Sequence, residues 1–129
     1  MKIEHLGLWV EDLELMRSFY LKYFDTSSGE KYVNPKTRFE AYFILFGDGK
    51  TRLELMKRPD IISDNSKRGF NMGIAHFAIS VGGKDKVNEL TECLRNDHFN
   101  IFSEPRTTGD GYYESVVLDP EGNYLEISA

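Results

Sequence analysis

One strand pattern with a histidine near its start is written twice in this chain, and the repeat constrains the fold more than any other feature. Ile3-Glu4-His5-Leu6-Gly7-Leu8-Trp9-Val10 alternates so that Leu6, Leu8 and Val10 share one face and His5, Gly7 and Trp9 the other. Ile74-Ala75-His76-Phe77-Ala78-Ile79-Ser80-Val81 alternates likewise, with His76, Ala78 and Ser80 opposite Ala75, Phe77, Ile79 and Val81. His76 stands 71 residues after His5. Leu53-Glu54-Leu55 recurs as Leu125-Glu126-Ile127 at an offset of 72, and Phe43–Phe46 aligns with Ser115–Leu118 at the same 72. A unit of about 70 residues used twice explains these matches better than one irregular chain.

Each half reads as strand, helix and three strands. In the first, strand 3–10 is followed by Asp12 as helix N-cap. Leu13, Met16, Tyr20, Tyr23 and Phe24 recur at helical spacing over 12–24. Ser27, Ser28 and Gly29 end that helix. Short strand 30–33, turn Asn34-Pro35-Lys36, strand 38–46, hairpin turn Gly47-Asp48-Gly49 and strand 51–57 follow. Residues 58–73 show no periodicity and read as a linker. The second half has strand 74–81 and a helix over 84–97 with Val87, Leu90, Thr91 and Leu94 inward. Strand 100–104, polar loop 105–111, strand 112–118, turn Asp119-Pro120-Glu121-Gly122 and strand 123–128 complete it. One domain of two βαβββ repeats, about 1–57 and 74–129, is expected.

Parity assigns the chemistry. Each helix covers the apolar side of its strands, where Leu53, Leu55, Leu125 and Ile127 point. His5, Glu54, His76 and Glu126 then lie on the uncovered face, one imidazole and one carboxylate per half. Taken singly, an exposed strand His or Glu is an ordinary solvated residue. The same residue types at the same strand positions, twice over, are not explained that way. Two His and two Glu suit one divalent ion such as Zn²⁺, Ni²⁺, Co²⁺, Fe²⁺ or Mn²⁺, and leave positions open on an octahedral one. A weakly bound carboxylate can leave the ion and take a proton.

Composition narrows the partners. A formal charge of −5 disfavours nucleic acid and anionic membranes. The single Cys93 excludes an intrachain disulfide and suits a reducing compartment. No apolar run is long enough to span a membrane. The first residues already read as strand with no signal peptide, so a cytoplasmic protein is expected. Cys93, beside the inner helix face, reads as a packed thiol. His98 follows the second helix, where a cation favours the dipole.

With these residues in place, the chain resembles the vicinal oxygen chelate superfamily of glyoxalase I, fosfomycin-resistance thiol transferases, methylmalonyl-CoA epimerases, bleomycin-binding proteins and extradiol dioxygenases. The likeness covers essentially the whole chain. It rests on Ile3-Glu4-His5-Leu6, Phe19-Tyr20, Leu53-Glu54-Leu55, Ile74-Ala75-His76-Phe77-Ala78 and, most specifically, the run Leu118-Asp119-Pro120-Glu121-Gly122-Asn123-Tyr124-Leu125-Glu126. The complete His, Glu, His, Glu set is most similar to small bacterial glyoxalase I, the lactoylglutathione lyase. The resemblance implies an α+β fold of paired βαβββ modules, with eight strands in cupped mixed sheets around a metal. It also implies a homodimer, with the site either shared between subunits or within one chain. The implied activity is a lyase or isomerase that stabilises an enediolate of a small oxygen-chelating substrate, with Glu126 as the base and Glu54 the other candidate.

Trp9 and Arg58 stand where that glyoxalase carries its glutathione-holding basic and amide residues, which points to a different, aromatic or thiol-free, substrate. Trp9, Arg58, Arg106 and Tyr113 are the candidate pocket residues, Arg106 as an anion clamp; a solvated turn is the equal alternative for its loop. The competing readings are a metal-free binding or resistance protein of the bleomycin-binding type, and a thiol transferase or dioxygenase on the same fold.

Overall fold

The computed structural model describes residues 2–47, 51–64 and 68–129. It divides into two compact units, Met1–Ser63 and Asp64–Ala129.

In the first unit, strand β1 (His5–Trp9) leads to helix α1 (Leu13–Tyr23). Asp12 caps the helix, its Oδ1 accepting from the Glu14 and Leu15 N–H groups at 3.1 and 3.0 Å, a cap worth about 1 kcal/mol. Strands β2 (Thr26–Ser28), β3 (Tyr32–Asn34), β4 (Phe39–Phe46) and β5 (Thr51–Lys57) follow. The sheet order is β1-β5-β4-β2, with β3 also on β4. β1 runs parallel to β5 with Gly7 beside Glu54, and β4 runs antiparallel to β5 with Phe43 opposite Glu54. Helix α1 lays Met16 and Tyr20, both fully buried, over Ile44, Leu53 and Leu55. Burying side chains of this size contributes about 1.5–3 kcal/mol each before entropy is counted.

The second unit repeats the plan. Strand β6 (Phe77–Ser80), helix α2 (Lys84–Asn96) and strands β7 (Ile101–Thr107), β8 (Tyr113–Leu118) and β9 (Tyr124–Ser128) form a sheet of order β6-β9-β8-β7. β6 runs parallel to β9 with Ala78 beside Glu126, and Val116 stands opposite Glu126 on β8. Val87, Thr91 and Leu94 of α2 are buried with Val117, Leu125 and Ile127.

Several sequence expectations need correction. Ser27 and Ser28 do not simply end α1. They pair with β4, which gives the first unit a short strand more than the expected three after its helix. Nine strands are therefore present among the described residues, where eight were implied. The 72-residue alignment of Phe43–Phe46 with Ser115–Leu118 is one residue out. Phe43 and Val116, 73 apart, both face the repeated glutamate. The first hairpin holds one residue more between equivalent pairs, Leu45↔Arg52 against Leu118↔Tyr124, and a one-residue slip inverts facing on a strand. β7 runs on to Thr107, so Arg106 is a strand residue and not part of a loop. β6 starts at Phe77, leaving His76 just before it. Cys93 is exposed rather than packed. The expected turn at Gly47-Asp48-Gly49 and part of the 58–73 linker fall on residues outside the described ones.

Candidate metal centre

Each unit carries one imidazole–carboxylate pair on the sheet face away from its helix. In the first, Glu54 is fixed by its neighbours Leu53 and Leu55, which are buried under α1 and turn it to the other side. His5, two residues before Gly7, reaches back along the same face. Its Nε2 lies 3.6 Å from Glu54 Oε2. Gly7 between them leaves the space that the Met56 side chain fills; a Cβ there would sit 2.8 Å from Met56 Cε. Phe43 meets the His5 ring edge-on at 5.7 Å.

In the second unit, Leu125 and Ile127 are fully buried and turn Glu126 the same way. His76 Nε2 lies 3.1 Å from Glu126 Oε1. The turn before β9 sets this position. Asp119 Oδ1 accepts from the N–H groups of Glu121 and Asn123, and Asn123 Nδ2 donates to Asp119 Oδ2 at 2.7 Å. Gly122 sits at φ +81°, a left-handed conformation that costs glycine little. The Asp-Pro-x-Gly run is thus a built turn that delivers Glu126 in register.

The two pairs match in exposure as well as in residue type. Both carboxylates are largely covered, 18% and 19% exposed, and both imidazoles are half-open, 40% and 47%. Two ligands of one first-row ion, with bonds of about 2.1 Å, lie about 3.0 Å apart at a right angle and about 3.4 Å at a tetrahedral one. The 3.1 Å pair fits that bite, and the 3.6 Å pair needs a few tenths of an ångström. Among the described residues, no group of three or more His, Cys, Asp or Glu side chains stands close enough together to hold a metal. Each unit supplies two donors of the right kind and no complete shell.

Three side chains at these positions are not among the candidate site residues. Glu4 joins the Nδ1 edge of His5 to the Arg52 guanidinium, and the His5 and Arg52 hydrogen bonds hold its carboxyl below the usual range. Glu114, on the face of Glu126 because it is two residues from Val116, is buried. Burial raises its pKa and the Glu126 charge adds to that, while Arg106, with Nη2 3.7 Å away, lowers it. Strand parity counted from Glu126 through the hairpin would have flagged Glu114, had the register been right.

The candidate pocket residues divide. Trp9 is on the face of His5, edge-on to Phe39 at 6.2 Å, and the Arg58 guanidinium lies 5.5 Å from the Trp9 ring centre. Arg58 also binds Asp60 at 2.5 Å. Arg106 donates to Ser103 Oγ at 2.6 Å and flanks Glu114. Tyr113 is not brought to the face of Glu126. Its hydroxyl donates to Asn88 of α2 at 2.8 Å, with Lys84 over its ring, so it lies on the helix-covered side.

The chain belongs to the Glyoxalase/Bleomycin resistance protein/Dioxygenase superfamily, whose family profile matches residues 2–127. Members of this superfamily commonly bind a divalent metal, and they vary in activity and substrate. Among solved structures it is similar to the trypanothione-dependent glyoxalase I of Leishmania major, at 24% identity over 99% of this chain and 86% of that one, with a TM-score of 0.74. Glyoxalase I of Zea mays matches at 23% identity and TM-score 0.78, over 98% of this chain and 44% of the maize chain. A glyoxalase family protein of Bacillus cereus matches at 16% identity and TM-score 0.82, over 99% and 93%. At such identities the likeness is one of fold, that of two mixed sheets with one helix each. No curated protein matches the sequence.

Proposed function

We propose that the protein is a metal-dependent lyase or isomerase of the glyoxalase type, with His5, Glu54, His76 and Glu126 holding one divalent ion, Zn²⁺, Ni²⁺, Co²⁺, Fe²⁺ or Mn²⁺. The observation that carries the reading is the imidazole–carboxylate pair repeated in both units, at 3.6 and 3.1 Å, with the carboxylates on equivalent strands and similarly exposed. A bound ion would supply charge stabilisation to a small substrate with two adjacent oxygens.

The chain's own residues do the rest. Glu126 takes the proton from the carbon next to the substrate carbonyl and returns it to the neighbouring one, with Glu54 as the other candidate. Both carboxylates are mostly withdrawn from water, which favours proton transfer to substrate over exchange with solvent. Trp9, with Phe39 edge-on to it, offers an apolar wall and Arg58 a cation beside it, suited to a substrate with a planar or anionic end.

The protein acts on a small molecule, without nucleic acid or membrane, as one domain of two repeats and as a homodimer in the cytoplasm. Support for the dimer comes from the exposed Ile3, Ile62, Phe70, Met72 and Ile74, apolar surface that twofold assembly would cover. Sedimentation at micromolar concentration gives a dimer mass on this account, and a clean monomer counts against it. Among the described residues no helix is long and apolar enough to cross a membrane.

Activity is tested with a panel of 2-oxoaldehydes, with and without glutathione and related thiols, on metal-loaded protein. Turnover that needs the ion supports the proposal; no turnover on any member by the loaded protein counts against it. A metal-free binding module is the second reading, favoured by the aromatic wall at Trp9. It predicts ligand binding that is indifferent to chelator.

A further inference from the structure

We infer that Glu4 and Arg52 form a clasp on the His5 ring that fixes its tautomer and orientation. The clasp holds the proton on Nδ1 and leaves Nε2 as the lone-pair atom facing Glu54.

Glu4 is held twice. Its backbone oxygen accepts from the Arg52 N–H at 3.3 Å, which carries the β1–β5 pairing one residue before β1 begins. Its carboxylate bridges, with Oε2 on His5 Nδ1 and Oε1 accepting from Arg52 Nη2. Arg52 stands directly beside His5 in the parallel register. The guanidinium and the imidazole share the Phe43 ring as a floor, the first 4.2 Å over its centre and the second edge-on. A neutral imidazole carries one N–H, and the partner of one nitrogen decides which. Glu4 hydrogen-bonds Nδ1, whereas the Glu54 carboxylate, 3.6 Å from Nε2, is beyond hydrogen-bond reach, so the proton of the neutral ring sits on Nδ1 and Nε2 keeps its lone pair.

Among the described residues, the second unit has no counterpart. Ala75 replaces Glu4, Tyr124 replaces Arg52 and Val116 replaces Phe43. The two histidines of the repeat are therefore unequal, His5 being set in advance and His76 not. A role in stability alone is a poor account of the clasp. Glu4 is half-exposed, and ion pairs that open to water contribute little to folding. Its consequence for metal affinity rests on the metal reading above; the tautomer does not. Glu4 and Arg52 are positioning residues on this account, acting through His5.

The test is the imidazole ¹⁵N spectrum of metal-free protein at a pH where the rings are neutral. Wild type should show His5 predominantly as the Nδ1–H form. Glu4→Ala should return it toward the Nε2–H form common in free imidazole, and Glu4→Gln, whose amide oxygen still accepts, should preserve the wild-type state. Zn²⁺ titration should show about a tenfold loss of affinity in Glu4→Ala and recovery in Glu4→Gln, the scale of such supporting contacts, with the melting temperature unmoved. The same His5 tautomer in wild type and Glu4→Ala overturns the inference. A wild type that binds no Zn²⁺ instead overturns the metal reading, and the tautomer still decides the clasp.

Discussion

The two halves share a plan and fill it differently. At equivalent places on the two helices stand Tyr20 and Thr91, 71 residues apart and both fully buried. Tyr20 fills its layer with a ring edge-on to Phe19 and tilted against Phe24. Thr91 fills less. Its hydroxyl donates to Val87 O and shares a 2.7 Å hydrogen bond with Ser115 on β8. The faces opposite diverge too, with Phe43 and the Glu4–Arg52 clasp behind one histidine and Glu114 beside the other carboxylate. What both halves keep is the imidazole, the carboxylate, and the buried Leu-Glu-Leu or Leu-Glu-Ile alternation that aims the carboxylate. Packing has drifted where any dense filling serves, while the pair has not.

The largest effect expected from unequal halves is in turnover. Glu126→Gln should lose about 10²–10⁴ in rate, because an amide oxygen can still coordinate but accepts no proton at working pH. Glu54→Gln should lose less. Steady-state kinetics on the substrate found by the panel gives the comparison; the reverse order assigns the proton transfer to Glu54, and full activity in both removes a carboxylate base from the mechanism.

Next comes packing. Tyr20→Ala should cost about 3–5 kcal/mol, the usual range for a buried large aromatic. Thr91→Val strands the Ser115 hydroxyl and should cost about 1–2 kcal/mol. Urea unfolding measures both, and equal costs would mean that the first helix does not depend on its ring as described.

The smallest effect concerns Glu114. Its raised pKa means the folded chain holds that proton more tightly than the unfolded chain does. The ionised form therefore costs stability, and the cost grows as pH rises from the ordinary carboxyl range through the raised value. Glu114→Gln should make the metal-free protein slightly more stable at neutral pH, with the gain fading in acid. A gain independent of pH would show that Glu114 acts through packing instead.

Much of this was readable beforehand because strand parity is a strict rule. Leu53, Leu55, Leu125 and Ile127 had to be buried, and Glu54 and Glu126 had to face away from them. The one-residue slip at Phe43 arose because a hairpin of different length changes the register without changing the pattern on either side. β2 was missed because Thr26-Ser27-Ser28 has no apolar alternation; its pairing comes from β4. Cys93 was misplaced because it borders the Val87–Thr91–Leu94 stripe, and a helix periodicity does not resolve the margin of its buried face. Glu4 and Arg52 left no trace, since a polar pair 48 residues apart becomes a unit only once β1 lies beside β5. Glu114 looked like any strand glutamate until the register put it beside Glu126.

On the proposed function, two unlike halves contribute to one ion. Metal content and affinity, measured on wild type, His5→Ala and His76→Ala after loading with Ni²⁺, Co²⁺ or Zn²⁺ at neutral pH, test it most directly. The account predicts about one ion per chain in wild type, and a large loss of affinity from either substitution alone. Two ions per chain, or binding that survives the loss of one histidine undiminished, would contradict it.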